Sequence, residues 1–150
     1  MATVKIPSFY RTFFLYIDPL ICLMGIYIFF FDHPLFIASG APQSITANVN
    51  LTPFVEYLLL CLGSYALFVF MMQILLLHGF KNAADGLNLR IWRIVLFGIL
   101  LIDLGLLFAM WKADEGMWNV AGWGVGEWSN YGILGAVTFI RASFLLGIGF

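Results

Sequence analysis

Four long apolar stretches alternate with shorter polar links along the chain, and this alternation predicts the main elements. The stretches run from about Phe9 to Phe31, Phe54 to Leu77, Ile91 to Trp111 and Tyr131 to Gly149. Each can cross the hydrocarbon layer of a bilayer as a helix, which takes about 20 residues. Strands of a membrane barrel would alternate apolar and polar residues, and these stretches do not. The pattern therefore predicts an all-α integral membrane four-helix bundle that forms a single transmembrane domain over residues 1–150.

Composition excludes an ordinary soluble domain. Of the 150 residues, 63% are hydrophobic and 10% are charged, whereas globular proteins have about 45–50% apolar and about 25% charged residues. So few charged side chains cannot cover a soluble core with polar surface. The net charge of −1 indicates no nucleic-acid partner. Cys22 and Cys61 lie inside apolar stretches and are expected to act as small apolar residues, not as a disulfide framework or metal site.

One proline lies inside a predicted span. Pro19 follows Asp18 in the first apolar stretch, whereas the other prolines lie at or beyond the ends of the stretches. Proline has no backbone N–H and clashes with the preceding turn, so Pro19 should kink the helix and free carbonyl groups that need other partners. The first stretch is also too long for a signal peptide and carries charged residues, so we expect it to be retained as a span.

The distribution of lysine and arginine predicts the orientation. Five of these residues precede or open the first span or occupy the link between the second and third: Lys5, Arg11, Lys81, Arg90 and Arg93. The two opposite loops hold only Lys112. By the positive-inside tendency, both termini and the 79–90 link face the cytosol, and the endoplasmic reticulum is the expected membrane. The sequon at Asn50 would then be lumenal, and whether it is glycosylated stays open.

Tryptophans crowd around the predicted lumenal loop between the third and fourth spans, at Trp111, Trp118, Trp123 and Trp128. Tryptophan is enriched at membrane–water interfaces, so an interfacial belt is the favoured interpretation. The alternative is a glycine-rich loop that folds back as an aromatic lid over a lumenal cavity.

Ionisable residues at membrane depth are the main indication of function. Such residues usually face the bundle interior and have partners, because a charge in the hydrocarbon layer costs about 2.5–3.5 kcal/mol on insertion scales. At a helical rise of about 1.5 Å per residue, Asp18 lies roughly 14 Å and Asp103 roughly 18 Å from the cytosolic ends of their spans. Arg141 lies roughly 15 Å from the lumenal end of its span, which is the same level. Tyr65 reaches this depth as well, and Glu56 lies about one turn inside the lumenal boundary.

Two acids and one arginine allow two interpretations. In the first, Arg141 pairs with Asp103 or Asp18 and the ion pair only locks the bundle. In the second, one of two adjacent carboxyl groups stays protonated, because two close anions repel and are poorly solvated. Such a pair can donate a proton to one oxygen while it removes a proton from a nucleophile. Epoxide opening needs these two groups, and double-bond isomerisation or a protonation-initiated terpene cyclisation needs similar ones.

Both ends of the chain resemble a known family. The segment Pro7-Ser8-Phe9-Tyr10-Arg11-Thr12-Phe13-Phe14-Leu15-Tyr16-Ile17-Asp18-Pro19, the mid-span Asp103 and the segment Arg141-Ala142-Ser143-Phe144-Leu145-Leu146-Gly147-Ile148-Gly149 resemble small fungal membrane proteins of secondary-metabolite clusters. That family includes epoxide hydrolases and cyclases proposed for polyene-pyrone polyketides of the citreoviridin and aurovertin type. The resemblance covers nearly the whole chain and is specific at its two ends. It implies a long apolar polyene substrate that carries an epoxide, and oxygen-ring formation by hydrolysis or internal hydroxyl attack.

These observations predict a membrane-embedded epoxide hydrolase or cyclase of fungal polyketide metabolism. Asp18 and Asp103 would form the acid–base pair with Arg141 orienting them, and the expected substrate-binding residues are Glu56, Tyr65 and Trp111. No metal and no organic cofactor is implied, since ring strain drives epoxide opening. The expected partners are an apolar small molecule and the lipid bilayer. The alternatives are a membrane isomerase or terpene-cyclase-like enzyme, and a non-catalytic lipid-binding or scaffold subunit.

Overall fold

Four long helices form the frame of the protein. The computed structural model describes residues 5–40 and 42–150, so residues 1–4 and 41 of the predicted domain lie outside that description. The helices are α1 (Ser8–Phe31), α2 (Pro53–His78), α3 (Leu87–Ala113) and α4 (residues 125–145). The described ranges contain no strand, which confirms the all-α fold class.

Three of these helices, α1, α2 and α3, are long and apolar enough to cross a membrane. The fourth is less uniform. It consists of a short α-helical turn, Val125–Glu127, a π-helical turn, Trp128–Gly132, and an apolar α-helix, Ile133–Leu145. Polar residues therefore occupy the first turns of α4, and its apolar part is shorter than the other three helices.

Short helical segments connect the long helices at one end of the bundle. Between α1 and α2 these are His33–Leu35, Phe36–Gly40 and Gln43–Thr46, and between α3 and α4 they are Glu115–Trp118 and Val120–Gly122. At the other end a short link joins α2 to α3. We call that second end the basic end, because Lys5, Arg11, Lys81, Arg90 and Arg93 belong to the start of α1, the link and the first turns of α3.

The end of α4 differs from the prediction. The helix stops at Leu145, not at Gly149, because Gly147 adopts a left-handed conformation with φ of 76°. The N–H of Ile148 then donates to the carbonyl of Ser143 at 3.0 Å, and the N–H of Gly147 donates to the carbonyl of Phe144 at 3.0 Å. This glycine-centred turn satisfies the last carbonyls of the helix. The other large differences are earlier starts, at Leu87 for α3 and Val125 for α4.

The helices pack as two hairpins. Helix α1 packs along α2, and α3 packs along α4. Gly63 of α2 is buried, and a Cβ atom on it would lie 3.0 Å from Cβ of Phe29 on α1. The missing side chain therefore lets the two helices approach closely, as small residues do in membrane bundles.

An aromatic core joins the two hairpins near the basic end. Phe14 of α1, Trp92 of α3 and Phe144 of α4 are fully buried and pack ring against ring, with centroid separations of 5.6 to 6.5 Å. Tyr10 packs edge-on against Phe144, and its hydroxyl donates to the carbonyl of Ile148 at 2.8 Å. Helices α2 and α3 contact each other mainly near this end and separate towards the opposite end. There the hairpins meet through Val125–Glu127 of α4 and the Phe36–Gly40 segment.

The outer surface is apolar, as in a protein whose solvent is lipid. Large hydrophobic side chains such as Phe31, Phe68 and Phe139 are 62% to 77% exposed. A soluble protein rarely exposes so much contiguous apolar surface. The buried interior, in contrast, holds several polar and charged side chains.

Carbonyl groups before Pro19 find partners on another helix, as predicted. The turn before this proline, Phe13–Ile17, is π-helical, which is a common adjustment where the regular hydrogen-bond ladder is interrupted. Two carbonyls of this turn find partners on α2. The carbonyl of Leu15 accepts from Nε2 of His78 at 3.2 Å, and the carbonyl of Phe14 accepts from Nε2 of Gln73 at 3.1 Å.

The close approach of α1 and α2 can be tested with two matched glycines. Gly63→Leu should lower the thermal unfolding temperature of the purified protein, because the new side chain would push Phe29 and Phe30 away, at a cost of about 1–3 kcal/mol. Gly98→Leu on α3 is the control, since nothing lies within 4 Å of its Cβ position. Equal melting temperatures for the two variants would contradict the packing described here.

Candidate functional site

Three charged side chains from three helices meet inside the bundle. Nη2 of Arg141 on α4 donates to both carboxylate oxygens of Asp18 on α1, each at 2.7 Å. Nη1 of Arg141 donates to Oδ2 of Asp103 on α3. All three residues are only 3% to 5% exposed. The depth estimates from the sequence therefore located these residues correctly at one level.

The second helix contributes Gln73. Its Nε2 donates to Oδ2 of Asp18 at 2.7 Å, in addition to the bond to the Phe14 carbonyl. Gln73 is 1% exposed. Gln73 was not predicted from the sequence, although an amide in an otherwise apolar stretch is a signal for a buried polar contact. With Gln73, all four long helices supply a polar side chain to one cluster, which we call the Asp–Arg–Gln cluster (Asp18, Gln73, Asp103 and Arg141).

Two buried polar atoms of the cluster have no hydrogen-bond partner among the described residues. They are Nε of Arg141 and Oε1 of Gln73. A buried donor or acceptor without a partner costs about 1–3 kcal/mol. The cluster therefore keeps some unused hydrogen-bonding capacity although the two carboxylates are well bound.

A cavity of about 310 Å³ lies between the two hairpins. Asp18, Asp103 and Arg141 form its inner end. From there the cavity extends away from the basic end between apolar side chains of all four helices, including Leu62, Val69, Ile99, Leu106 and Val137. At its far end it meets Ser129 and Asn130 of α4. An apolar cavity with a few converging polar groups is the usual form of a small-molecule site.

The predicted substrate-binding residues divide between this cavity and the outer surface. Tyr65 lines the cavity and is 39% exposed. Glu56 and Trp111 do not line it, and both are exposed. Helical periodicity is the reason, because the cavity face of α2 carries Leu62, Tyr65, Ala66 and Val69, and Glu56 points away from that face.

The tryptophan-rich loop is held by its own contacts. Nε1 of Trp123 donates to the carbonyl of Met117 at 3.0 Å, and the Trp123 ring packs against Trp128 and Tyr131. Trp118 and Trp128 are exposed, and the residues that line the cavity include no tryptophan. This arrangement favours an interfacial belt over an aromatic lid.

No group of three or more His, Cys, Asp or Glu side chains that could hold a metal ion occurs among the described residues. The titratable side chains that line the cavity are those of Asp18, Cys22, Tyr65, Asp103 and Arg141. A carboxylate and a carboxylic acid in one site can exchange protons with a bound molecule.

Loss of the arginine should be the most damaging change in the cluster. Arg141→Met should destabilise the protein by about 3–5 kcal/mol, because it leaves two buried carboxyl groups without the guanidinium that binds them and balances their charge. Adding Asp18→Asn and Asp103→Asn to Arg141→Met should recover much of this loss, since the triple variant has no buried charge. Thermal melting in detergent would measure both effects, with the exposed Arg93→Met as the control. No recovery in the triple variant would argue against charge compensation.

Comparison with known proteins indicates a family but no activity. No curated protein and no solved structure matches the chain. A family described as a domain of unknown function, DUF7704, matches residues 3–150, a range that includes all four helices and the whole Asp–Arg–Gln cluster. Because the match covers nearly the entire sequence, the chain belongs to the DUF7704 family.

Proposed function

We propose that this protein is a membrane-embedded enzyme that opens an epoxide in a long apolar substrate by acid–base catalysis. One observation carries the proposal: Asp18 and Asp103 both line the same apolar cavity and both bind the same guanidinium. An arginine that only locked a bundle would need one carboxylate. A second carboxyl group beside the first supplies the proton that epoxide opening requires.

The hydrogen bonds suggest a role for each acid. Asp18 accepts two bonds from Arg141 and one from Gln73, whereas Asp103 accepts one from Arg141. The Thr138 hydroxyl also lies beside Asp103, but it donates to the Leu134 carbonyl at 2.7 Å. Bonds donated to a carboxylate favour its ionised form. We therefore assign the base to Asp18 and the protonated acid to Asp103, which also makes the cluster neutral and lowers the cost of burying it.

The proposed step is balanced in protons and bonds. Asp103 donates its proton to the epoxide oxygen while one carbon–oxygen bond of the ring breaks. Asp18 removes a proton from water or from a hydroxyl of the substrate, and that oxygen forms the new bond to carbon. The product is a diol if water attacks and a cyclic ether if a substrate hydroxyl attacks. Afterwards Asp18 holds the proton and Asp103 is ionised, and Arg141, which binds both, stabilises either state.

The cavity suits an apolar substrate that comes from the bilayer. Its walls are mostly hydrophobic side chains, and Tyr65, one of the lining residues, is 39% exposed. A polyene that partitions into lipid could enter sideways along this residue. The fungal polyketide substrate class rests on the resemblance of the two chain ends to secondary-metabolite proteins, and not on the cavity itself.

We place both termini and the basic end in the cytosol, and the protein in the endoplasmic reticulum. Support for the orientation comes from the five basic residues at that end. In this orientation the cavity extends from the middle of the membrane towards the lumenal side.

A terpene-cyclase-like or isomerase activity is the second candidate. Phe29, Phe36 and Tyr65 line the cavity, and aromatic faces can stabilise a carbocation. In this case Asp103 would protonate a double bond and water would not be incorporated. The fate of the oxygen atoms therefore separates the two activities.

The main test is turnover of a polyene bis-epoxide in oxygen-18 water, with the purified protein in nanodiscs. The wild-type protein should form labelled diols, or cyclic ethers by internal attack. Asp18→Asn and Asp103→Asn should each reduce the rate by about 10²–10⁴-fold, the usual contribution of a general acid or base.

Glu56→Gln is the matched control, because it neutralises an exposed carboxylate outside the cavity and should keep full activity. Thermal melting would show that the aspartate variants are folded. Unchanged epoxide with folded wild-type protein would refute the proposal for this substrate class. Normal turnover in both aspartate variants would assign the cluster to a structural role in a lipid-binding or scaffold subunit.

A further variant tests the cavity without changing any charge. Gly25 lines the cavity two helical turns after Asp18, and a Cβ atom there would make only an ordinary contact with Phe29, at 3.8 Å. Gly25→Leu should fill part of the cavity and raise KM several-fold while kcat changes less, because it removes binding space away from the reacting groups. Gly98→Leu is the control, and an unchanged KM for Gly25→Leu would place the substrate elsewhere.

A further inference from the structure

A second cavity, of about 400 Å³, lies at the basic end. Its lining includes three cationic side chains, Lys5, Arg11 and Lys81, together with Ser8, Asn82 and Asn88. Among the residues that the structure describes, no acidic side chain lines it, and Asp85 of the same link is exposed outside it. The cavity therefore combines positive charge with neutral hydrogen-bonding groups, which is the chemistry of an anion site.

Two helices begin at this cavity. Ser8 is the first residue of α1, and Asn88 is the second residue of α3. The residues before these helices, Pro7 and Gly86, provide no side-chain cap. A helix start carries partial positive charge, which favours a bound anion. At α3 the N–H groups of Leu87 and Leu89 already donate to the Ala84 carbonyl and to Oδ1 of Asn88, so this helix contributes through its dipole. These two helix starts therefore add to the charge of the three side chains.

The site is also partly preorganised. Nη2 of Arg11 donates to Oδ1 of Asn82 at 3.1 Å, which ties α1 to the link between α2 and α3. Asn88 is buried, and its Oδ1 accepts from the N–H of Leu89 at 2.7 Å. A general excess of positive charge on the cytosolic side would not require such an arrangement. Arg90 and Arg93, at the same end, do not line the cavity.

We propose that this basic cavity binds a phosphate group. A phosphate offers several acceptor oxygens and more than one negative charge near neutral pH, which matches three cations and two helix starts. The phosphate could belong to the headgroup of an anionic lipid in the adjoining leaflet or to a free phosphate in solution. This binding is independent of the epoxide chemistry at the other cavity.

The test measures the dissociation constant of short-chain phosphatidic acid, and separately of inorganic phosphate, for the full-length protein in phosphatidylcholine nanodiscs. The pocket variant is Arg11→Gln with Lys81→Gln. The control is Arg90→Gln with Arg93→Gln, which removes the same charge from the same end. At about five-fold per basic residue, the pocket variant should bind roughly 25-fold more weakly, and the control should bind within about two-fold of wild type.

Each outcome decides the proposal. Weakened binding of phosphatidic acid alone in the pocket variant supports a lipid headgroup as the ligand, and the same pattern for inorganic phosphate supports a free phosphate. Equal weakening in both variants means unspecific surface attraction and overturns the proposal, as does the absence of binding by either probe. If the pocket variant fails to fold, Lys5→Gln replaces it, because Lys5 precedes α1 and its removal should leave the helices intact.

Discussion

The pairing of Arg141 with two aspartates is the interaction on which the arrangement of the bundle depends. A single unpaired charge at this depth costs about 2.5–3.5 kcal/mol or more, so the helices that carry the charges must bring them together. Arg141 binds Asp18 and Asp103, and Gln73 adds a bond from the remaining helix. Once these contacts form, the depth and the inward face of all four helices are constrained.

The aromatic core and the charged cluster act at different levels. Phe14, Trp92 and Phe144 close the bundle near the basic end, while α2 and α3 separate beyond the cluster. The cavity lies where these two helices have few contacts with each other, on the side of the cluster away from the basic end. The same side chains therefore stabilise the bundle and face an apolar space, so a structural and a chemical role do not exclude each other.

Pro19 makes backbone carbonyl groups of α1 available to the side chain of Gln73, which belongs to the cluster. By interrupting the helix next to Asp18, it leaves carbonyls of the preceding turn that bind Gln73 and His78 on α2. Gln73 can therefore bind the Phe14 carbonyl and the Asp18 carboxylate at the same time.

The aromatic core also separates the inner cavity from the basic cavity. Because the basic cavity lies among water-exposed charges, the two cavities offer different chemistry within one small protein.

The sequence by itself determined the helical class, the approximate extents of the four long helices and the level at which Asp18, Asp103 and Arg141 meet. Apolar length and the helical rise per residue suffice for those conclusions, because a bilayer imposes one thickness on every span. The depth of a residue in its helix does not specify which way its side chain faces. For this reason Glu56 and Trp111 were expected at the site, although both are exposed. Only the packing of four helices decided that Gln73 joins the cluster, that Tyr65 lines the cavity, and that two helix starts meet beside three cations. Those contacts join residues far apart in the chain, and their geometry depends on how each helix turns towards its neighbours.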